Sequence, residues 1–312
     1  MTTTAAPSWP ATDNLEQVWA AVEEHGLAPH VAELDVKGFT VVPPELVGPP
    51  DVVDRLLDAV LAVGEQRTGV RADVVTGASH AGTRTKDAAG GSATQDWLWH
   101  LLFEDLVFEQ ALLNTTACAL VSYLLGDHAK LSVDLAIVKG PSAPSERRGF
   151  VHSDAYGVPA PFPAYAQVCN VTWVLTDYTE EAGALGFVPG SHRLQRHPLS
   201  LDEGLERWVP AVAERGSLIV WHGNTWHTSH NPRTIPGLRV SWALLFCRQY
   251  MAPQQAYHLA VPDGAVERNP ARFATFMGLD DPYGVHGTEE DYHRHFRAEV
   301  FARSVQGNSQ FE

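Results

Sequence analysis

The stretch FVHSDAYG, residues 150–157, sets His152 and Asp154 two residues apart. On an extended chain, residues i and i+2 point to the same face, so an imidazole and a carboxylate can aim at one point. The pair is open to three readings: two ligands of a metal, a piece of a hydrolase triad, or a polar turn. An iron(II) centre of the two-histidine, one-carboxylate kind needs one more histidine and leaves coordination positions open. Residues 216–247, GSLIVWHGNTWHTSHNPRTIPGLRVSWALLFC, hold three, His222, His227 and His230, followed by Arg239 at the head of an apolar strand. A permanently charged guanidinium in such a strand calls for a carboxylate, which its fork binds bidentately. A dicarboxylate such as 2-oxoglutarate would answer it by chelating iron at one end and meeting Arg239 at the other.

The elements that must position these residues change in texture along the chain. Residues 1–13 read as a loose tail. NLEQVWAAVEEHG has helical periodicity, with Leu15, Val18 and Val22 on one face and Gly26 as its stop. GFTVVP reads as a short strand. PPDVVDRLLDAVLAVGEQ reads as a helix with proline at its start, Asp51 as a candidate cap, and Val53, Leu56, Leu57 and Val60 recurring at helical spacing. Residues 67–95 are rich in Gly, Ala, Thr and Ser, and read as a variable loop or lid over the substrate. DWLWHLLFEDLVFEQALLNTTACALVSYLLG reads as one or two helices. KLSVDLAIVKG, QVCNVTWVLT, ALGFVPGS, GSLIVWHG and LRVSWALLFCRQY then follow as β-branched or aromatic runs separated by Gly and Pro. A helical ending is expected around TEEDYHRHFRAEVFARS. The expected class is α+β, a single domain over 1–312. Its core at 130–255 is a jelly roll (a double-stranded β-helix, cupin-like), with helices packed outside.

Composition narrows the function. The 312 residues carry a formal net charge of −15, which disfavours non-specific binding of nucleic acid or of anionic lipid. Three widely spaced cysteines, Cys118, Cys169 and Cys247, suggest neither a disulfide framework nor a zinc ribbon; buried free thiols fit a reducing cytosol. No signal-peptide pattern opens the chain, and no apolar run reaches the ~18 residues of a membrane span. A cytoplasmic location is therefore expected. No G-x-S-x-G, G-x-x-x-x-G-K or G-x-G-x-x-G occurs.

The order H-x-D, then WVLTDYTEEAGALGFVPGSH at 173–192, then WHTSHNPRTIPGLR at 226–239 resembles the phytanoyl-CoA dioxygenase family of iron(II)- and 2-oxoglutarate-dependent oxygenases. Trp226-His227, Asn231 and Arg239 fit that family's last segment, and the likeness covers residues 130–255. The resemblance implies Fe(II) on His152, Asp154 and His227. His227 carries the Trp-His pairing and stands 12 residues before Arg239; His230 and His222 are the alternatives. Thr228 stands where the family usually has glycine. Arg239 would hold the far carboxylate of 2-oxoglutarate, with Ser229 or Ser241 adding a hydroxyl and Trp173 packing beside the co-substrate. For Ser241 a satisfied strand hydroxyl is the favoured reading, and for Trp173 plain core packing is an equally simple one. His192 and His197, in PGSHRLQRHP, read as parts of a structural turn, and the histidines at 293–295 as surface. The implied reaction is hydroxylation of a small organic metabolite with O2, releasing succinate and CO2. Asp154 argues for a hydroxylase-type centre over a halogenase. A zinc hydrolase using the same ligands, or an inactive small-molecule binder on the same fold, are the rival readings. The sequence does not specify the substrate; Gln254 and Gln255 are candidates for a polar lip, and Arg147 and Arg148 for a basic turn.

Overall fold

The computed structural model describes residues 15–77, 95–142, 146–229 and 231–280. Its main sheet is built from five runs that the sequence marks as strands and from one, Gln95–Trp99, that it does not. These are β1 (Phe39–Val42), β2 (Gln95–Trp99), β3 (Lys130–Lys139), β4 (Val168–Val174), β7 (Leu218–His222) and β9 (Arg239–Cys247). The order is β1-β7-β4-β9-β3-β2, and every pairing is antiparallel. A small second sheet has order β6-β5-β8, from β5 (Gly186–Phe187), β6 (Val209–Pro210) and β8 (His227–Thr228).

The central strands β4, β7 and β9 are buried on both faces, so their sequences are continuous apolar runs with no alternation. One face is covered by helices: α1 (Leu15–Glu24), α2 (Ala28–Lys37), α3 (Pro50–Thr68), α4 (Leu106–Leu112), α5 (Thr115–Leu125), α6 (Ala265–Arg268) and α7 (Ala271–Met277). Val22, Leu56, Phe108 and Leu120 from the helices meet Trp173, Trp242, Leu244 and Phe246 from the sheet in one core. Each such side chain contributes about 1.5–3 kcal/mol by leaving water. The opposite face carries the cavity described below.

Local chemistry sets the helix ends. Asp105 and Asn114 accept hydrogen bonds from Val107 N (2.8 Å) and Ala117 N (3.0 Å), capping α4 and α5. Gly38 ends α2 at φ 87°, a left-handed conformation that glycine adopts without strain.

Four expectations need correction. DWLW is strand β2, not helix; Trp97 and Trp99 share the cavity face of this edge strand and Leu98 takes the helix side. Asp51 lies inside the first turn of α3, whose cap position is Pro49. Leu15 faces solvent, while Val18 and Val22 are buried. The two-residue strands β6 and β8 carry too little pattern to be read from sequence. Within the expected loop at 67–95, Thr68 still belongs to α3 and Gln95 already opens β2; residues 78–94 lie outside the described residues. The tail at 1–13 and the expected C-terminal helix also lie outside them. Among the described residues, no helix is long and apolar enough to cross a membrane.

Candidate active site

His152 and His227 face each other across an isolated β-bridge. His152 N donates to His227 O (3.0 Å) and His227 N donates to His152 O (2.9 Å). The main chain thereby brings the rings to 4.2 Å between centroids. Each Nδ1 meets a carbonyl at 3.0 Å, Phe150 O for His152 and Thr225 O for His227. A carbonyl only accepts, so Nδ1 carries the proton and Nε2 presents its lone pair. Asp154 is fixed by its own N–H to Gly223 O (2.9 Å). Its carboxylate lies 3.6 Å from His152 Nε2 and 3.3 Å from His227 Nε2. Asn170 Nδ2 (2.8 Å) and Trp221 Nε1 (3.1 Å) donate to Asp154 Oδ2 and orient it.

Burial, only partly offset by the Asp154 charge, lowers the His227 pKa to about 4, so the ring is neutral at pH 7. Two imidazole lone pairs and a carboxylate therefore converge on one point, with ligand atoms within 4.8 Å of one another. Such an array repels itself unless a cation sits between the donors. Nitrogen and oxygen donors of this kind suit a divalent first-row metal. Hydrogen bonds to the far sides of the ligands are the usual support of such a site.

The rest of the sequence motif acts as scaffolding. Ser191 Oγ donates to Val188 O (2.6 Å) and accepts from Trp226 N (2.8 Å), fixing the chain one residue before His227. Thr228 Oγ1 donates to Gly149 O, tying β8 to the segment that carries His152. Asn231 Nδ2 donates to Ala184 O and, at 3.0 Å, to Thr228 O. His192 is held by Asp35 O (3.2 Å) and His197 by Ser153 Oγ (2.8 Å), so neither joins the metal group. His222, buried with its pKa lowered to about 4 by desolvation, points elsewhere: its Nδ1 accepts from Asn224 N (3.1 Å). His230 and the histidines at 293–295 lie outside the described residues.

A cavity of about 330 Å³ opens beside the ligands and is lined by Arg239, Ser241, Ser229 and Gln254 among others. Arg239 is 1% exposed, and its Nη1 donates to Gly183 O. The guanidinium carbon stands 4.9 Å from the Tyr178 ring centroid. Among the described residues Arg239 has no ion pair, and its buried Nε has no partner. Ser241 Oγ is also buried without a partner, against the expectation of a satisfied strand hydroxyl. Trp173 does not line the cavity. It alternates to the other face of β4 and packs in the helix-side core, so core packing is its role here. Gln254 is at the lip, whereas the Gln255 side chain accepts from Asp134 N (3.3 Å) away from the metal. Arg148 is paired to Glu180 (2.9 Å) and stacked on Trp208 (3.6 Å).

Sequence reasoning missed Asn170, Trp221, Tyr178 and Lys139. Asn170 carried a signal, being a polar residue in the middle of an apolar strand. Lys139 is fully buried opposite Arg239 on β3 and pairs with Glu146 at 3.0 Å. Burial, then the nearby Arg239 charge, lowers its pKa to about 8.

Several known proteins resemble this chain. "Dioxygenase af480" of Aspergillus fumigatus is 31% identical over 159 residues, 51% of this chain and 50% of that protein. "Multifunctional dioxygenase ausE" of Penicillium brasilianum is 26% identical over 287 residues, 87% of this chain and 85% of that protein. The chain spans about half the length of the first relatives it matches. Among solved structures, HygX from Streptomyces hygroscopicus with nickel and 2-oxoglutarate bound superposes with TM-score 0.54 at 16% identity, over 72% of this chain and 89% of that one. The epimerase SnoN, in complex with Fe3+, alpha ketoglutarate and nogalamycin RO, gives 0.52 at 18% identity, over 78% and 91%. At these identities the likeness shows the fold. The sequence profile of phytanoyl-CoA dioxygenase (PhyH) matches residues 34–236, more than half of the chain and a span holding the three converging ligands. The chain belongs to the phytanoyl-CoA dioxygenase family.

Proposed function

We propose that this protein is a non-haem Fe(II)- and 2-oxoglutarate-dependent dioxygenase that hydroxylates a small organic molecule. One observation carries the reading: a two-histidine, one-carboxylate cluster and an unpaired buried arginine share one cavity. The metal reading suits His152, Asp154 and His227. The unpartnered Arg239 Nε and Ser241 Oγ suit the distal carboxylate of a co-substrate that would reach the metal at its other end. Ser229 lines the same cavity and is a further hydroxyl within the site. Two antiparallel sheets, one of six strands and one of three, support a jelly-roll reading of the core.

When bound, iron with 2-oxoglutarate and O2 supplies the oxidising chemistry that hydroxylates a C–H bond while succinate and CO2 are released. The chain's own residues supply the rest. Asn170 and Trp221 hold the Asp154 carboxylate in one orientation. The carbonyls of Phe150 and Thr225 fix the histidine tautomers. Arg239 anchors the co-substrate where no protein carboxylate competes. Apolar walls exclude water, which strengthens each of these electrostatic contacts. The neighbours bound to hygromycin B and to nogalamycin RO support a small-molecule substrate.

A zinc hydrolase would have no use for an unpaired buried arginine beside the metal. The test is anaerobic titration of the protein with Fe(II) and then 2-oxoglutarate, followed by succinate release in air. A visible charge-transfer band dependent on both additions is expected. Absence of the band together with absence of succinate would reject the proposal.

A further inference from the structure

The register of the main sheet arranges the cavity in rows. Asn170 on β4 and Trp221 on β7, the two residues that hold Asp154, are cross-strand partners, so the metal stands over these strands. Arg239 and Ser241 lie on the next strand, β9. Beyond β9 come β3 and the edge strand β2. With about 4.8 Å per strand step, β2 lies roughly 14 Å from β4. The co-substrate reading occupies β9, between the metal and Arg239. The cavity nevertheless continues past β9 to Leu135 and Val133 on β3 and to Trp97 and Trp99 on β2.

This outer half has a distinct chemistry. Trp97 and Trp99 meet edge to face, with ring centroids 5.6 Å apart. On the metal side, Phe150 and Tyr156 flank the His152 ring at 5.2 and 6.3 Å, and remain 45% and 56% exposed. Large aromatic surface left open beside a cavity marks a binding surface. Among the described lining residues, Asp154 and Arg239 are the only ones with a permanent charge at neutral pH, and both are committed to the metal and the co-substrate. Gln254 and Ser229 are neutral polar contacts.

We infer that the outer half is the substrate-selecting wall, built on Trp97 and Trp99, and that it takes an uncharged, apolar ring system with its reacting carbon turned toward His152. This rests on the dioxygenase reading of the metal centre. A charged group brought into this wall loses hydration and finds no partner among the described lining residues. A flat neutral ring keeps its apolar area against the indoles and the lip.

The test uses a matched set on one ring: 2-naphthol, 2-naphthoate, 2-naphthylmethylammonium and 2-naphthoyl-CoA. Binding is read by calorimetry on the anaerobic protein loaded with Fe(II) and 2-oxoglutarate, and again on the unloaded protein. The expected result is that 2-naphthol binds at least tenfold more tightly than each charged analogue. Trp99→Leu should weaken 2-naphthol at least fivefold while leaving the 2-oxoglutarate affinity unchanged. Equal or tighter binding of any charged analogue to the wild-type protein would overturn the inference, whether or not the variant folds. So would undiminished 2-naphthol binding by folded Trp99→Leu. The charge-transfer band reports the metal reading separately: its absence alongside selective naphthol binding would sink that reading and, with it, the assignment of the wall to substrate.

Discussion

Replacing Arg239 by alanine removes the only guanidinium among the described residues of the cavity wall. Its Nη1 is committed to Gly183 O, and its buried Nε has no partner. Truncating one partner of a buried charge pair costs about 2–5 kcal/mol. The lower part of that range applies here, because Lys139 lies opposite on β3 and keeps its charge below a pH of about 8. A loss of about 2–3 kcal/mol corresponds to a roughly 30- to 150-fold rise in the 2-oxoglutarate dissociation constant. Arg239→Lys keeps the charge and loses the fork, so it should fall between the two, near tenfold. The assay is anaerobic titration of the Fe(II)-loaded variants by the charge-transfer band, with circular dichroism to confirm folding, since Arg239 also packs on Tyr178. Unchanged 2-oxoglutarate affinity in folded Arg239→Ala would refute the anchoring role and remove the main ground for this co-substrate.

Other outcomes are equally specific. The kcat/KM for 2-oxoglutarate should fall as pH rises through about 8, because Lys139 loses its proton there and with it part of the positive field on the distal carboxylate; Lys139→Met should flatten that limb. Asp154→Ala and His227→Ala should lose the charge-transfer band, while His222→Gln should keep it, as His222 stands outside the ligand cluster; a band surviving at full strength in His227→Ala would overturn the ligand assignment. Ser191→Ala should cost about 1–3 kcal/mol in urea unfolding, because it leaves the buried Trp226 N–H without an acceptor. Gly183→Ala should destabilise by about 1–3 kcal/mol, since its Cβ would meet Asn231 O at 2.7 Å at a backbone φ of +73°; unchanged stability would show that the loop yields.

Much of the candidate centre was legible in the sequence, because His152, Asp154 and His227 were named from residue type and spacing and these three converge in the structure. The H-x-D pair and the Trp226-His227 signature survive as short local patterns, and the long apolar strands announce themselves by composition. What stayed hidden depends on three-dimensional partners. His152 and Asp154 do not lie on a regular strand; a single bridge and one main-chain bond to Gly223 place them. Nothing local in DWLW separates an edge strand from an amphipathic helix, because only its pairing with β3 decides. The two readings of Trp173 stayed open for the same reason, and the structure gives core packing: alternation gives two faces, and the sequence does not say which one holds the cavity.

The position of β2 has a consequence for how such a protein changes over time. It contributes no residue to the candidate metal cluster, and among the described residues it has no strand neighbour on one side. Meanwhile His152 and His227 are held largely through main-chain atoms, which persist when side chains differ, and Asp154 through Asn170 and Trp221, far from β2. Selectivity and reactivity are thereby partly uncoupled. Mutational drift at positions 97 and 99 can retarget the pocket to a different ring without disturbing the oxidative machinery, which makes this edge the natural place to begin directed evolution.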